Sequence, residues 1–169
     1  MKTLTITNLE GLNIMAWNSQ LNEAKLDDIP IKLRFYIKKL ITKIAPDIQE
    51  FEKFRDEELK KLQDEYGTDE KSYEIEEKVL GEDGKPVLDE EGKETFQTNR
   101  KVKEEYLEEY QKKVNTLNEK LVEILSEKNS YECNAYDVDA FVDGLADDTT
   151  LTFDDINMLD AIFSENGEA

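Results

Sequence analysis

The chain has 169 residues, 38% of them hydrophobic and 37% charged, which suits one domain with a thin core and is too apolar and aromatic for full disorder. Asp and Glu number 41 against 22 Lys and Arg, for a formal charge of −19. Direct binding to duplex nucleic acid or to an anionic membrane is therefore disfavoured, because such affinity comes largely from cations that displace counterions.

The sequence has no His and a single cysteine, Cys133, so it lacks the usual general base near neutral pH and the commonest metal ligand, and it forms no internal disulfide. Cys133 reads as a half-buried apolar side chain in a reducing compartment. The first residues carry no continuous apolar segment of the secretory type, and no later run approaches the roughly 20 residues of a membrane span. A cytoplasmic protein without catalytic residues, cofactor or metal is the expectation.

Thr3 to Thr7 alternates Thr with Leu and Ile, as a short half-buried strand does. Asn8 then reads as a helix N-cap, and Leu9, Leu12, Met15, Ala16 and Leu21 recur at helical spacing beside the sole Trp17, which predicts a short helix to about Glu23. Asp27 and Asp28 before Ile29-Pro30 mark the start of a long helix. Its stripe is Ile37, Leu40, Ile44, Ile48, Phe51, Leu59, Leu62 and Tyr66. Pro46 falls within it, which predicts a kink near Ala45 or two helices meeting there. Gly67 ends the run.

Residues 68–98 change character. Glu82-Asp83-Gly84-Lys85 and Glu90-Glu91-Gly92-Lys93 each put Gly where a tight turn needs a positive φ, so two hairpin turns are implied. The pieces at 73–80, 86–89 and 95–98 read as a small three-stranded meander, either rigid or a mobile arm. A second long helix over 99–128 is marked by Val102, Tyr106, Tyr110, Val114, Leu117, Leu121 and Ile124. Residues 131–139 read as a strand for the N-terminal one, and Thr152-Phe153-Asp154-Asp155 as a capping box that opens a last helix through Phe163. Burial is expected for Phe141, Leu145, Leu151, Phe153, Ile156, Leu159, Ile162 and Phe163.

The expected fold is mainly α (α+β): one domain over residues 1–169, an antiparallel hairpin of long helices with a β-arm inserted at 68–98, and a terminal strand pair with short helices. Self-association through the apolar stripes, as a homodimer, is the competing use of those faces.

Two charge features stand out. After Lys128 there is no Lys or Arg, and the tail carries Asp137, Asp139, Asp143, Asp147, Asp148, Asp154 and Asp155. A calcium loop beginning at Asp137 would need a polar ligand at Phe141 and a Gly at Val142, so the spacing refuses an EF-hand. Carboxylate pairs such as Asp147-Asp148 meet the formal need for acid and base, but no set of pocket residues accompanies them. The seven Asp are the candidate partner-binding residues, and a surface spread with carboxylates also suits mimicry of a nucleic acid. Against the trend, residues 29–46 hold Lys32, Arg34, Lys38, Lys39 and Lys43 with no acid. That basic patch reads first as a counter-surface for the chain's own acidic tail or for a second copy, and otherwise as a phosphate- or partner-binding patch.

The stretch Ile29-Pro30-Ile31-Lys32-Leu33, then Ala45-Pro46-Asp47-Ile48, Phe51-Glu52-Lys53-Phe54-Arg55 and Glu65-Tyr66-Gly67, the turn at Asp89 to Lys93, and the closing Leu151-Thr152-Phe153-Asp154-Asp155-Ile156-Asn157-Met158-Leu159 form an ordered set. In this order the chain resembles a family of small, acidic, uncharacterised proteins of tailed bacteriophages and prophages of Firmicutes and related bacteria. The resemblance implies a phage origin, action in the host bacterial cytoplasm or on the virion, and no catalytic residues to carry over. The expected function is protein–protein binding by a non-enzymatic phage protein, in virion assembly or on a host factor. The alternative is an acidic, nucleic-acid-mimicking inhibitor of a host nucleic-acid-binding or defence enzyme, such as an anti-CRISPR.

Overall fold

The computed structural model describes residues 1–164. The fold is mainly α with two small antiparallel sheets. In chain order it runs β1 (Lys2–Thr7), α1 (Asn8–Ser19), α2 (Glu23–Asp28), α3 (Ile31–Tyr66), β2 (Ser72–Lys78), β3 (Phe96–Val102), α4 (Glu104–Ser126), β4 (Lys128–Cys133), α5 (Val138–Asp143) and α6 (Phe153–Phe163). Where the composition suggests one domain, contacts gather in two compact units, Met1–Phe54 with Leu121–Ala169, and Arg55–Lys120.

The first unit holds the main core. β1 pairs antiparallel with β4, Leu4 opposite Tyr131 and Lys2 opposite Cys133, and the strand alternation sends Leu4 and Ile6 inward. They pack with Ile14 and Trp17 of α1, with Leu33, Ile37, Leu40, Ile44 and Ile48 of α3, and with Leu159, Ile162 and Phe163 of α6. Gly11 lets α1 approach α3: a Cβ there would stand 3.0 Å from Ile48 Cδ1. Thr7, not Asn8, caps α1, in a capping box with Glu10. Asn8 is instead buried, donating through Nδ2 to the Ile124 carbonyl (2.7 Å) and accepting from Asn129 (2.8 Å).

Several boundaries differ from the sequence pattern for local reasons. α1 stops at Ser19, and a separate turn, α2, opens at an Asn22 cap. Asp27 and Asp28 therefore end a helix; the next begins after Pro30, whose carbonyl accepts from Arg34 N–H (3.0 Å). α3 is continuous across Pro46, so two helices do not meet there, and Pro46 lies on the exposed side. The strand expected over 131–139 begins earlier and ends at Cys133. Phe153 is 76% exposed, against the expectation of burial: as the first residue of α6 it faces outward while Leu159, Ile162 and Phe163 take the core positions.

In the second unit, the end of α3 and the start of α4 run antiparallel. Tyr66 stacks edge-on with Tyr110 at 5.1 Å and donates to Glu109 (2.8 Å), and Glu65 meets Lys113 (2.6 Å). Between them β2 pairs directly with β3, Ser72 opposite Val102 and Lys78 opposite Phe96. The spacing of turns predicts a meander in which residues 86–89 lie between the outer pieces; the structure keeps one bridge of each such pairing, Leu80 to Pro86 and Leu88 to Glu94, and joins the outer pieces directly as well. Cross-strand charge favours that pairing, with Glu77 to Lys101 at 3.0 Å and Glu74 to Arg100 at 3.1 Å.

Candidate functional site

The distal end of the β-arm is a three-way junction. Val79 N–H donates to the Thr95 carbonyl (2.9 Å), Thr95 N–H to the Val87 carbonyl (2.9 Å), and Val87 N–H to the Val79 carbonyl (2.8 Å), which closes a ring of backbone hydrogen bonds. Three hairpins leave it: the β2–β3 ladder and two tight loops. In the loops Gly81 N–H donates to Lys85 O and Gly84 N–H to Gly81 O, while Asp89 N–H donates to Lys93 O and Gly92 N–H to Asp89 O. Gly84 and Gly92 sit at φ 73° and 78°, as three-residue hairpin loops ending in a left-handed residue require.

The symmetry has a sequence origin. Residues 79–86, Val-Leu-Gly-Glu-Asp-Gly-Lys-Pro, repeat as 87–94, Val-Leu-Asp-Glu-Glu-Gly-Lys-Glu, and Thr95-Phe96 begins a third copy. Period-two alternation, together with the pairs Lys78 to Phe96, Leu80 to Pro86 and Leu88 to Glu94, puts these six residues on one face of the junction. The 2.7 Å ion pair of Lys78 with Glu94 lies on that face. Leu80, Leu88 and Phe96, at equivalent places in the three repeats, are 57%, 56% and 56% exposed. A platform of three large apolar side chains open to water is costly to keep unless something covers it. The turn residues point to the hairpins, but the triad emerges only when the octapeptide repeat is read across both turns.

Below the junction, a polar cluster occupies the α3–α4 pair of the second unit. Glu65 receives Lys113 (2.6 Å) and Lys71 (3.2 Å), and both lysines also stand over the Tyr66 ring, at 5.4 and 4.6 Å. The hydrogen bond from Lys113 holds Glu65 below the usual carboxylate range, and the one from Tyr66 does the same for Glu109. Burial and then Glu109 push the Tyr66 hydroxyl up, and Glu65 raises Lys113 although desolvation opposes it. These shifts hold Glu65 and Glu109 as carboxylates, Lys113 as an ammonium and Tyr66 as a neutral phenol, so the four groups clasp the two helices together.

In the first unit the predicted acidic residues separate into two kinds. Asp139, Asp143, Asp147, Asp148 and Asp154 are exposed and have no hydrogen bond or ion pair among the described residues, while the exposed Asp137 caps α5 through Ala140 N–H (3.0 Å). Asp155 does not belong with them. It is buried, receives Trp17 Nε1–H on one oxygen (3.0 Å), and receives Lys25 (2.7 Å) with the Thr152 amide and hydroxyl (2.8 Å each) on the other. Burial alone would raise its carboxyl, but Lys25, Thr152 and Trp17 outweigh that and lower it to about 2. Its contacts with Trp17 and Lys25 bury Asp155, which removes it from any partner surface.

Among the described residues the basic patch forms no ion pair with the acidic tail, one of the two counter-surfaces that the charge balance suggests. Among the described residues, the tail's ion pair comes from Lys25, outside the patch. Lys43 donates to the Glu132 backbone carbonyl, and Arg34 is 3.8 Å from Asp27 with its Nε buried and without an acceptor. Lys32, Lys38 and Lys39 are exposed and form no ion pair among the described residues; Lys39 lies 5.1 Å from the Phe35 ring centroid and Lys32 5.8 Å from that of Tyr36. Among the described residues no group of three His, Cys, Asp or Glu is placed to hold a metal ion, and no helix is long and apolar enough to cross a membrane.

No family model, curated protein or solved structure matches the chain.

Proposed function

We propose that this is a non-enzymatic phage protein that binds another protein, in virion assembly or on a host factor, through the tip of its β-arm. The observation that carries the reading is the exposed triad Leu80, Leu88 and Phe96, presented together by a hydrogen-bonded junction. Large apolar side chains at the centre of a contact supply most of its binding energy once water is excluded. The resemblance to small acidic phage proteins supplies the setting, and the clasped Glu65–Lys113–Tyr66–Glu109 cluster gives an enzyme reading little to work with.

Capture from phage-infected cells followed by mass spectrometry tests this. The wild-type chain is expected to retain a specific protein at high salt, and the variant with Leu80→Ser, Leu88→Ser and Phe96→Ser to lose it while keeping its helical circular dichroism. Retention by the triple variant would overturn the reading. The five unengaged aspartates favour a second reading, a decoy for a nucleic-acid-binding host enzyme. In that case capture fails at high salt and on changing Asp143, Asp147 and Asp148 to Asn, and survives the tip substitutions.

A further inference from the structure

We infer that the basic face at the start of α3 is a docking site for the acidic α5–α6 surface of a second copy of this chain, joined head to tail. This goes beyond the arm-tip reading and uses no residue of the arm. Ile31 and Phe35, one helical turn apart, are 79% and 54% exposed. Lys38, Lys39 and Thr42 continue the same side, also exposed. The surface is thus an apolar pair flanked by Lys32, Lys38 and Lys39, none of which has a carboxylate partner among the described residues.

The fold also carries the complementary surface and leaves it unused. α5, the segment after it and the first turn of α6 carry the exposed Asp139, Asp143, Asp147, Asp148 and Asp154, without partners among the described residues, and Phe153, next to Asp154 in the chain, is exposed as well. No Lys or Arg follows Lys128 in the sequence, so α5 and α6 bring no cation of their own, and the ion pair that reaches this region, from Lys25, goes to the buried Asp155. Each face therefore offers one sign of charge and an exposed aromatic ring, the combination of anchor and polar rim found at interfaces.

A second copy fits better than a polyanion. Phosphates would meet the lysines but leave Ile31 and Phe35 against a polar backbone, and the net charge of −19 opposes approach. That net charge also repels another copy at low salt. At about 0.15 M, where screening acts beyond about 8 Å, only the facing groups count. Association is thus expected to be strongest at intermediate ionic strength. The two faces differ, so the contact is heterologous, and each bound copy leaves a free face of each kind at the ends of the assembly.

Sedimentation velocity on the purified chain, across the micromolar range and at low, intermediate and about 1 M salt, provides the test. The wild-type mass is expected to grow with concentration at intermediate salt and to return to the monomer at high salt. A variant with Phe35→Ser, Lys38→Ala and Lys39→Ala should stay monomeric, as should one with Asp147→Asn, Asp148→Asn and Phe153→Ser. An equimolar mixture of the two retains one intact face of each kind and should form dimers that grow no further. A wild-type chain monomeric under all conditions overturns the inference, as does growth that survives either variant. A gel shift of single-stranded nucleic acid that is lost with Lys38→Ala and Lys39→Ala, without self-association, would overturn it too and assign the face to a polyanion.

Discussion

Replacing Asp155 by Asn tests the buried link between the tail and the rest of its unit. One carboxylate oxygen receives Trp17 and the other receives Lys25 and both Thr152 donors. Asn has a single oxygen, so its NH2 group must face a donor on one side or the other, and Lys25 loses its counter-charge. Leaving a buried donor set and a poorly exposed ammonium without their acceptor costs about 3 kcal/mol at neutral pH. The pH dependence makes the argument specific. The folded carboxyl is lowered from 3.8 to about 2, so its stabilisation is fully present above about pH 4 and is lost as pH falls toward 2. At about 1.4 kcal/mol per pH unit, the difference between wild type and Asp155→Asn should shrink by about 2 kcal/mol over that interval. Urea unfolding followed by Trp17 emission measures it, because the only Trp in the chain touches the residue that is changed. Other carboxylates titrate in both proteins and cancel in the difference. A gap that stays constant from pH 4 to 2 would refute the assignment of this ion pair.

The left-handed loop residues predict a graded series. Gly84→Ala and Gly92→Ala meet no atom within 4 Å, so each should cost only its backbone strain, about 1 kcal/mol. Asn should be milder and Val more severe, read as hydrogen-exchange rates of the amides of Val79, Val87 and Thr95; equal rates in all variants would contradict the turn geometry. Burial pushes the Cys133 thiol up, which leaves less thiolate at mildly alkaline pH. Labelling by a thiol-specific disulfide reagent should therefore be slow in the native protein and fast in urea, and rapid native labelling would place the thiol at the surface.

The long helices were legible because their cause is local. Steps of three and four between apolar residues mark α3 and α4, Gly67 stops the first, and Thr152 with Asp155 announces the start of α6. The turns at Gly84 and Gly92 were likewise written in neighbouring residues. The mainly α class follows from these local periodicities, because a helix satisfies its hydrogen bonds within its own segment.

Composition by itself determined that the chain is strongly acidic, without histidine and without an internal disulfide, and spacing marked its two long helices, although the second begins at Glu104 and not near 99, since Val102 belongs to β3. Only the tertiary structure decided that Asp155 is internal while Asp154 is exposed, that Phe153 lies outside and Asn8 inside, and that β2 pairs with β3 instead of with the segment between them. The physical reason is distance along the chain. Trp17 and Asp155 are separated by 138 positions, and no local pattern of charge or hydropathy records which of several similar carboxylates will meet a remote indole and a remote ammonium.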